Sequence, residues 1–365
     1  MNMFMNYYRE YIQQGFPVKF YFSGNINSAE DECDFIRAMK QQGVSGIISF
    51  YGQDIQKIVE TCDEEEMYYV LGSGNVSDED YDKIKNSQYF LGSVGPDAKA
   101  DYEAGYNMAE YFADADTSKY IVLTGGSSAG NYMHLQRAIG VLEALAEKEG
   151  LTYSEDVEKL AASEETTVVD TGKDDISITI CPGYMTAPKG INNLKHAFVD
   201  GNYDAVLCTF NVDEIMKIVT AKEDEQGSNI KIGAVDCFSQ ENHDEINTED
   251  SFGNPKIDCI AGKYASMGGP AFAILYNAMA GYPEANTDDA DSNTVRLYQG
   301  FWSASDKASF NKLYGYTQDI YENAYSCADL MKVIKSYNPD TTPDDMKALT
   351  EAYTVEDVQK RMEEK

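Results

Sequence analysis

The sequence predicts an α/β chain of two lobes, each built on a parallel sheet, and three observations lead there. Strand-like apolar runs alternate with helix-like periodicity along most of the chain. Many of the early strand-like runs end in Gly or Ser, where a βα loop turns. The alternation breaks at the polar stretch around Asp114–Thr117 and then begins a second series.

The first series opens with a helical segment, MNMFMNYYREYIQQG, followed by PVKFYFSG (17–24) as a strand. SAEDECDFIRAMKQQG (28–43) has apolar residues at helical spacing, and VSGIISFYG (44–52) is the next strand. DIQKIVETCDEEE (54–66) and MYYVLGSG (67–74) repeat the unit, and QYFLGSVG leads into a helix that ends near Asp114. The second series runs from KYIVLTG (119–125) through a helix over 132–149 and a polar segment to about Lys173. It continues with the strands DISITICPG, YDAVLCTF, NIKIGAVDCF and KIDCIAGKY, and with helices NNLKHAFVDG and VDEIMKIVTAKE. SMGGPAFAILYNAMAG (266–281) is an apolar helix by which the chain returns to the first lobe, and TVRLYQGFWSAS (294–305) is a last strand. The expected boundaries are 1–116 with 264–293 for the first lobe and 117–263 with 294–306 for the second. A helical extension occupies 307–365, where TPDD and TVEDV each offer a capping threonine and early acidic residues.

Composition narrows the function. The 365 residues suffice for two cores, and 43% are hydrophobic. With 29 basic and 62 acidic residues the formal net charge is −33, which repels phosphate backbones and anionic membranes, so nucleic acid is not an expected partner. No apolar run reaches the roughly 18 residues of a membrane span, and the first residues lack the basic start and apolar centre of a secretion signal. The seven cysteines include no C-x-x-C pair, and there are only three histidines, so neither a metal site nor a cofactor is expected.

Gly126-Ser127-Ser128-Ala129-Gly130 fits the G-x-S-x-G pattern of a nucleophile elbow. A hydrolase of that kind needs a late histidine and an acid to orient it. His134 follows the loop directly and His196 is embedded in a helix; only His243 is loop-placed, and apart from Asp204 and Asp213, which flank a strand, the acids are diffuse. Ser128 is therefore read as lining a binding loop, with a serine hydrolase kept as an alternative.

The order of these segments, over residues 5–303, resembles the type I periplasmic binding proteins, the family of ribose- and galactose-binding proteins and of lac-repressor-type ligand domains. GVSGIISFYGQDIQKIVETCDEEEMYYVLG is similar to that family's second βαβ unit, and VGPDAKADYEAGYNMAEYF to its crossover. VLTGGSSAGNYMHLQRAIGVLEAL is similar to the first strand of the family's second lobe, whose loop is followed by an arginine and a glycine, here Arg137 and Gly140. YDAVLCTFNVDEIMKIV supplies Asn211, IKIGAVDCF supplies Asp236, and IAGKYASMGGPAFAIL is similar to the return crossing.

The resemblance implies two Rossmann-like lobes that close by a hinge on a small polar solute, most simply a carbohydrate, with nothing catalysed. Arg137 would donate a fork of hydrogen bonds, Asn211 and Asp236 would serve hydroxyls, and the amides of Ser127 and Ser128 would add donors. Each has a local alternative: Arg137 pairing with acids, Asn211 capping the next helix, Asp236 only ending its strand. Tyr51, Tyr132 and Trp302 are candidate stacking rings, with packing as their other role. Ser73, Gly74 and Asn75 stand where many sugar-binding members carry an aspartate or arginine, and Gly262 and Lys263 where a glutamine often stands. Lys263 would favour an acidic or phosphorylated group. The family begins with a strand for which this sequence has no counterpart, so a clipped start is expected, and with it a lost signal or lipid anchor. The implied protein is a monomer outside the cytoplasm whose partners are the solute and the permease subunits of an ABC transporter. A sensory module of the same fold, feeding a receptor or kinase, is the other reading.

Overall fold

The computed structural model describes residues 2–113, 116–125, 132–185, 187–289, 292–317 and 324–363. The chain forms two units: Met1–Asp97 with Ala265–Gly300 and Gly315–Lys365, and Ala98–Tyr264 with Phe301–Tyr314.

In the first unit, with elements numbered along the whole chain, a parallel sheet has the order β1 (Gly46–Ser49), β2 (Tyr68–Gly72), β3 (Phe90–Gly95), β10 (Val295–Tyr298). The helices are α1 (Asn2–Gln13), α2 (Ala29–Gln41), α3 (Ile55–Glu64), α4 (Asp78–Ile84), α11 (Gly269–Met279), α13 (Cys327–Val333), α14 (Pro343–Glu351) and α15 (Val355–Glu363). Helices cover both faces, which is why these strands are apolar almost throughout. Ile47, Tyr69 and Leu71 pack with Cys33, Ile36, Ile58 and Val59 of α2 and α3. The other face meets α11, since a Cβ placed on Gly46 would lie 2.5 Å from Leu275 Cδ1. α11 is buried along most of its length, as its uniformly apolar sequence requires.

The second unit has a seven-stranded sheet in the order β11-β9-β8-β7-β4-β6-β5. Its strands are β4 (Lys119–Thr124), β5 (Thr167–Val169), β6 (Ser177–Pro182), β7 (Ala205–Cys208), β8 (Lys231–Cys237), β9 (Cys259–Lys263) and β11 (Trp302–Ala304). The central five are parallel, and the edge strands β5 and β11 are antiparallel to β6 and β9. Its helices are α5 (Ala98–Phe112), α6 (Tyr132–Glu149), α7 (Val157–Ala161), α8 (Pro188–Asp200), α9 (Met216–Gln226), α10 (Gln240–Ile246) and α12 (Lys307–Gly315). α5 and α6 approach so closely that a Cβ on Gly105 would lie 2.0 Å from the Arg137 carbonyl oxygen, and one on Gly140 2.1 Å from that of Tyr102. That contact carries α5 into the second unit, so the division falls at residue 98 and not at 116.

Three further expectations change. PVKFYFSG is not a strand: Pro17–Gly24 forms no ladder with any described residue, although Val18, Phe20 and Phe22 are half-buried while Lys19 and Tyr21 are exposed, the alternation of an extended chain. The run 294–305 is two strands, β10 in the first unit and β11 in the second, separated where the Gln299 amide bonds the Gly95 carbonyl and its side chain enters the first core. The helical extension expected over 307–365 is divided, Phe301–Tyr314 falling in the second unit and Gly315–Lys365 in the first. Tyr325 accepts a bond from Gln299 Nε2 at 2.9 Å and donates to the Thr350 carbonyl at 2.5 Å, and the Tyr7 hydroxyl donates to the Tyr325 carbonyl. Among the described residues no helix is long and apolar enough to cross a membrane.

Candidate functional site

The chain runs from β4 through α6 to β6 on one side of the sheet, then to β7 on the other. Where such a reversal occurs, the loops at the strand carboxyl ends part and leave a crevice. The second unit has a cavity of about 290 Å³ there. It is lined from α6 by His134 and Arg137, after β6 by Tyr184 and Met185, after β7 by Phe210, Asn211 and Glu214, and from β8 and β9 by Val235, Asp236, Cys237 and Lys263.

Arg137 is 4% exposed, and its bonds are largely internal. Nε donates to Asp101 Oδ1 at 2.7 Å and Nη1 to the Thr209 carbonyl at 3.0 Å. The guanidinium also lies over the Phe301 ring, 5.2 Å from its centroid. The free fork expected for the ligand is thus committed in part to holding α6 against α5 and the end of β7. Pairing with an acid does occur, and that acid is the buried Asp101, not a surface residue.

Asn211 and Asp236 meet directly. Asn211 Nδ2 donates to Asp236 Oδ2 at 3.0 Å and to Asp213 Oδ2 at 3.1 Å, while its Oδ1 accepts from the Asp213 amide at 3.0 Å. The local turn-stabilising role therefore coexists with a place in the pocket. Asp236 also accepts from Asn242 Nδ2 at 2.9 Å. Burial, partly offset by that bond, pushes its carboxyl up to about 6. Burial and then the Arg137 charge bring the Lys263 ammonium down to about 8. Lys263 Nζ lies 6.0 Å from the Phe301 ring centroid.

Sequence reasoning missed the aromatic wall. His134, Tyr184 and Phe210 form a triangle with ring centroids 5.3–5.5 Å apart. Burial, Arg137 and Lys263 hold the His134 imidazole well below its ordinary value, hence neutral. Its Nδ1 is buried without a partner among the described residues. The available signal was position: Tyr184 and Phe210 each follow a strand end by two residues.

Four of the ten expected residues, Arg137, Asn211, Asp236 and Lys263, line one pocket. Ser127 and Ser128 lie outside the described residues. Tyr132 begins α6, is 50% exposed and does not line the cavity. Tyr51, Ser73 and Asn75 belong to the first unit. There Asn75 Nδ2 ties the Gly95 carbonyl (2.8 Å) to that of Leu297 (3.3 Å), while Ser93 Oγ donates to its Oδ1 at 2.5 Å. Ser73 is buried with φ 63°, a conformation that leaves β2 abruptly. The Tyr51 hydroxyl donates to Gln53 Oε1 at 3.1 Å. Trp302 is 2% exposed and stacks on Tyr264 at 4.2 Å, the packing role that was its alternative. All seven cysteines are unbridged, six of them buried. Among the described residues no group of three or more His, Cys, Asp or Glu side chains could hold a metal ion.

The fold is that of the type I periplasmic binding proteins. The chain is similar to the periplasmic binding protein component of the arabinose ABC transporter from Shewanella sp. ANA-3, solved with α- and β-L-arabinofuranose, at 14% identity and a TM-score of 0.54, covering 87% of this chain and 90% of that one. It is similar to an ABC transporter solute-binding protein from Actinobacillus succinogenes with bound D-allose, at 13% identity and a TM-score of 0.57, covering 85% and 94%. A Caulobacter myo-inositol-binding protein bound to myo-inositol matches at 14% identity and a TM-score of 0.54, covering 85% and 90%. No protein-family model matches the sequence. No curated protein matches it either.

Proposed function

We propose that the protein is an extracytoplasmic solute-binding protein that captures a small polyhydroxylated molecule, a monosaccharide or cyclitol, for the permease of an ABC importer. The observation that carries this reading is the pocket at the carboxyl ends of β4, β6, β7, β8 and β9. There Asp236 and Asn211 present acceptors and donors at hydrogen-bonding distance from each other, beside two cations and an aromatic wall. Placed polar groups on an otherwise apolar lining are what orient a small ligand. Asp236 and Asn211 take the hydroxyl hydrogens and oxygens, and Lys263 donates to an acceptor oxygen. The rings of Tyr184 and Phe210 meet the C–H face of the ring. Nothing is transformed: the protein is a carrier that binds and releases. Fold neighbours with sugars and inositol in their structures support the ligand class, and the two that belong to ABC transporters support the partner and the location.

The test is calorimetric titration of the whole chain with L-arabinose, D-allose, D-galactose and myo-inositol. At least one is expected to bind with measurable heat, and Asp236→Asn is expected to weaken that binding about tenfold or more. Saturable binding that Asp236→Asn leaves unchanged would move the ligand out of this pocket. No heat from any polyol would remove the ligand class.

A further inference from the structure

Behind the pocket of the second unit, α10 supports the Asp236 carboxylate. β8 ends at Cys237, and α10 begins at Gln240 after only Phe238 and Ser239. Ser239 caps that helix, its Oγ accepting the Asn242 backbone amide at 3.1 Å. The capped turn brings the Asn242 side chain back to the strand the chain has just left. Asn242 Nδ2 donates to Asp236 Oδ2 at 2.9 Å and to the Cys237 carbonyl at 2.9 Å. Asn242 is 0% exposed and does not line the cavity, so it stands behind Asp236, out of the solute's reach.

Two features make this more than packing. The first is a cost. Asn242 Oδ1 is buried without a hydrogen-bond partner among the described residues, and an orphaned amide oxygen destabilises a core. A leucine would fill similar space without that oxygen; what it lacks is the NH2 group. Turning the amide over would set Oδ1 against the oxygens of Asp236 and Cys237 and forfeit both bonds, so the orientation is fixed by its partners. The second is the division of labour within Asp236. Its Oδ2 takes both amides, from Asn242 and, at 3.0 Å, from Asn211. Its Oδ1 accepts from no described side chain, and Asp236 lines the cavity.

We infer that Asn242 is a positioning residue for solute capture: it pins Oδ2 of Asp236 from behind and so presents Oδ1 to the cavity. This rests on the reading of the pocket as the solute site. The same bond favours the ionised carboxyl against the burial that disfavours it. Other groups face that carboxyl. Asp213 after β7 opposes ionisation and Arg137 from α6 favours it, while Lys263 on β9, Cys208 on β7 and the adjoining Cys237 lie within its field. On α10, Glu241 and His243 (which the sequence places in a loop) flank Asn242, and neither bonds Asp236. Of the two side-chain donors to Asp236, Asn211 lines the cavity and Asn242 does not, so Asn242 can be changed without removing a solute contact.

Two measurements on the full chain test this. Carbon-13 NMR of carboxyl-labelled aspartate, with the Asp236 signal assigned by its loss in Asp236→Asn, follows the carboxyl in the absence of solute. Asn242→Leu is expected to move its titration midpoint upward. Asn242→Asp, of the same shape, is expected to move it further, because adjacent carboxyls resist ionising together; it carries the test if Asn242→Leu does not fold. Calorimetry with a polyol that the wild-type chain binds then reads the consequence. Asn242→Leu is expected to weaken binding at every pH, and by about threefold or more beyond that at pH 6 relative to pH 7.5, while circular dichroism stays native. An Asp236 midpoint unmoved in both variants would overturn the inference, as would an affinity loss equal at the two pH values. The two readings fail separately: a wild-type chain that binds no polyol removes the solute, whereas the midpoint, read without solute, decides what Asn242 does to Asp236.

Discussion

Asp236 and Lys263 titrate on either side of neutrality, and their partners fix how ligand affinity must respond. Asp236, raised to about 6, accepts more strongly from a solute hydroxyl when ionised, so binding strengthens as pH rises through about 6. Lys263, lowered to about 8, donates fully only when protonated, so binding weakens as pH rises through about 8. Affinity should therefore peak between these values and fall on each side by up to about tenfold per pH unit. Calorimetry in two buffers of different ionisation enthalpy checks the sign: protons released below about 6, protons taken up above about 8. A flat profile would mean that neither group touches the solute. Arg137 needs a different test, because it is paired with a carboxylate as buried as itself, side chains 5% and 1% exposed. Arg137→Ala removes the guanidinium that pairs with the buried Asp101 carboxylate, and is expected to lower stability by about 3–5 kcal/mol. Adding Asp101→Leu should recover much of that in denaturant melts, which a purely ligand-binding arginine would not allow. Strand-end position, readable from a strand–loop–helix pattern, placed Asn211, Asp236 and Lys263, and the resemblance alone added Arg137 from within α6, so that four residues meet in one pocket. Neither could show that Arg137 spends two nitrogens on Asp101 and Thr209, since those partners come from α5 and the end of β7.

Among the elements, the α5–α6 pair is the most constrained contact in the second unit. Its two glycines lie against carbonyl oxygens of the opposite helix, and a backbone cannot swing aside as a side chain does. Gly105→Ala and Gly140→Ala should each cost about 1–3 kcal/mol or more, with the double variant worse, in urea unfolding followed by circular dichroism. Wild-type stability in either variant would show that the helices can separate without loss. The glycines also explain what the sequence hid: α5 reads as the last helix of the first series, but small residues facing each other decide which unit it joins. Helical periodicity located α6 at 132–149 correctly because an 18-residue amphipathic stretch carries its own evidence. Alternation failed at 17–24 for the opposite reason. A strand is defined by a partner, and the periodicity of Val18, Phe20 and Phe22 reports only that one face is covered. The short β5 was invisible within a polar run, since it borrows its order from β6.

For the molecule as a whole, the charge of −33 sets an opposition between two salt effects. Surface ion pairs such as Lys83–Glu79, Lys85–Asp82 and Lys99–Glu103 weaken as salt is added. Such exposed pairs contribute little to stability, and often nothing measurable. The acidic excess repels itself over the whole surface, and that repulsion is damped as the Debye length shrinks from about 30 Å at 0.01 M to about 8 Å at 0.15 M. With 62 acidic against 29 basic residues most carboxylates have no cation to lose, so repulsion outweighs pairing. Tm is expected to rise by several degrees over that salt range in calorimetry; a fall would mean that the pairs dominate. The same field identifies the solute's charge without naming the solute. A neutral sugar or cyclitol does not feel it, and its Kd should change less than about twofold between 0.01 M and 0.15 M NaCl. An acidic sugar must approach against it even if Lys263 and Arg137 welcome it inside the pocket, so its association rate should increase with salt. Stopped-flow binding across the series separates the two cases: salt-independent rates fit the neutral polyol proposed here, and rates that climb with salt would assign the site to an anion.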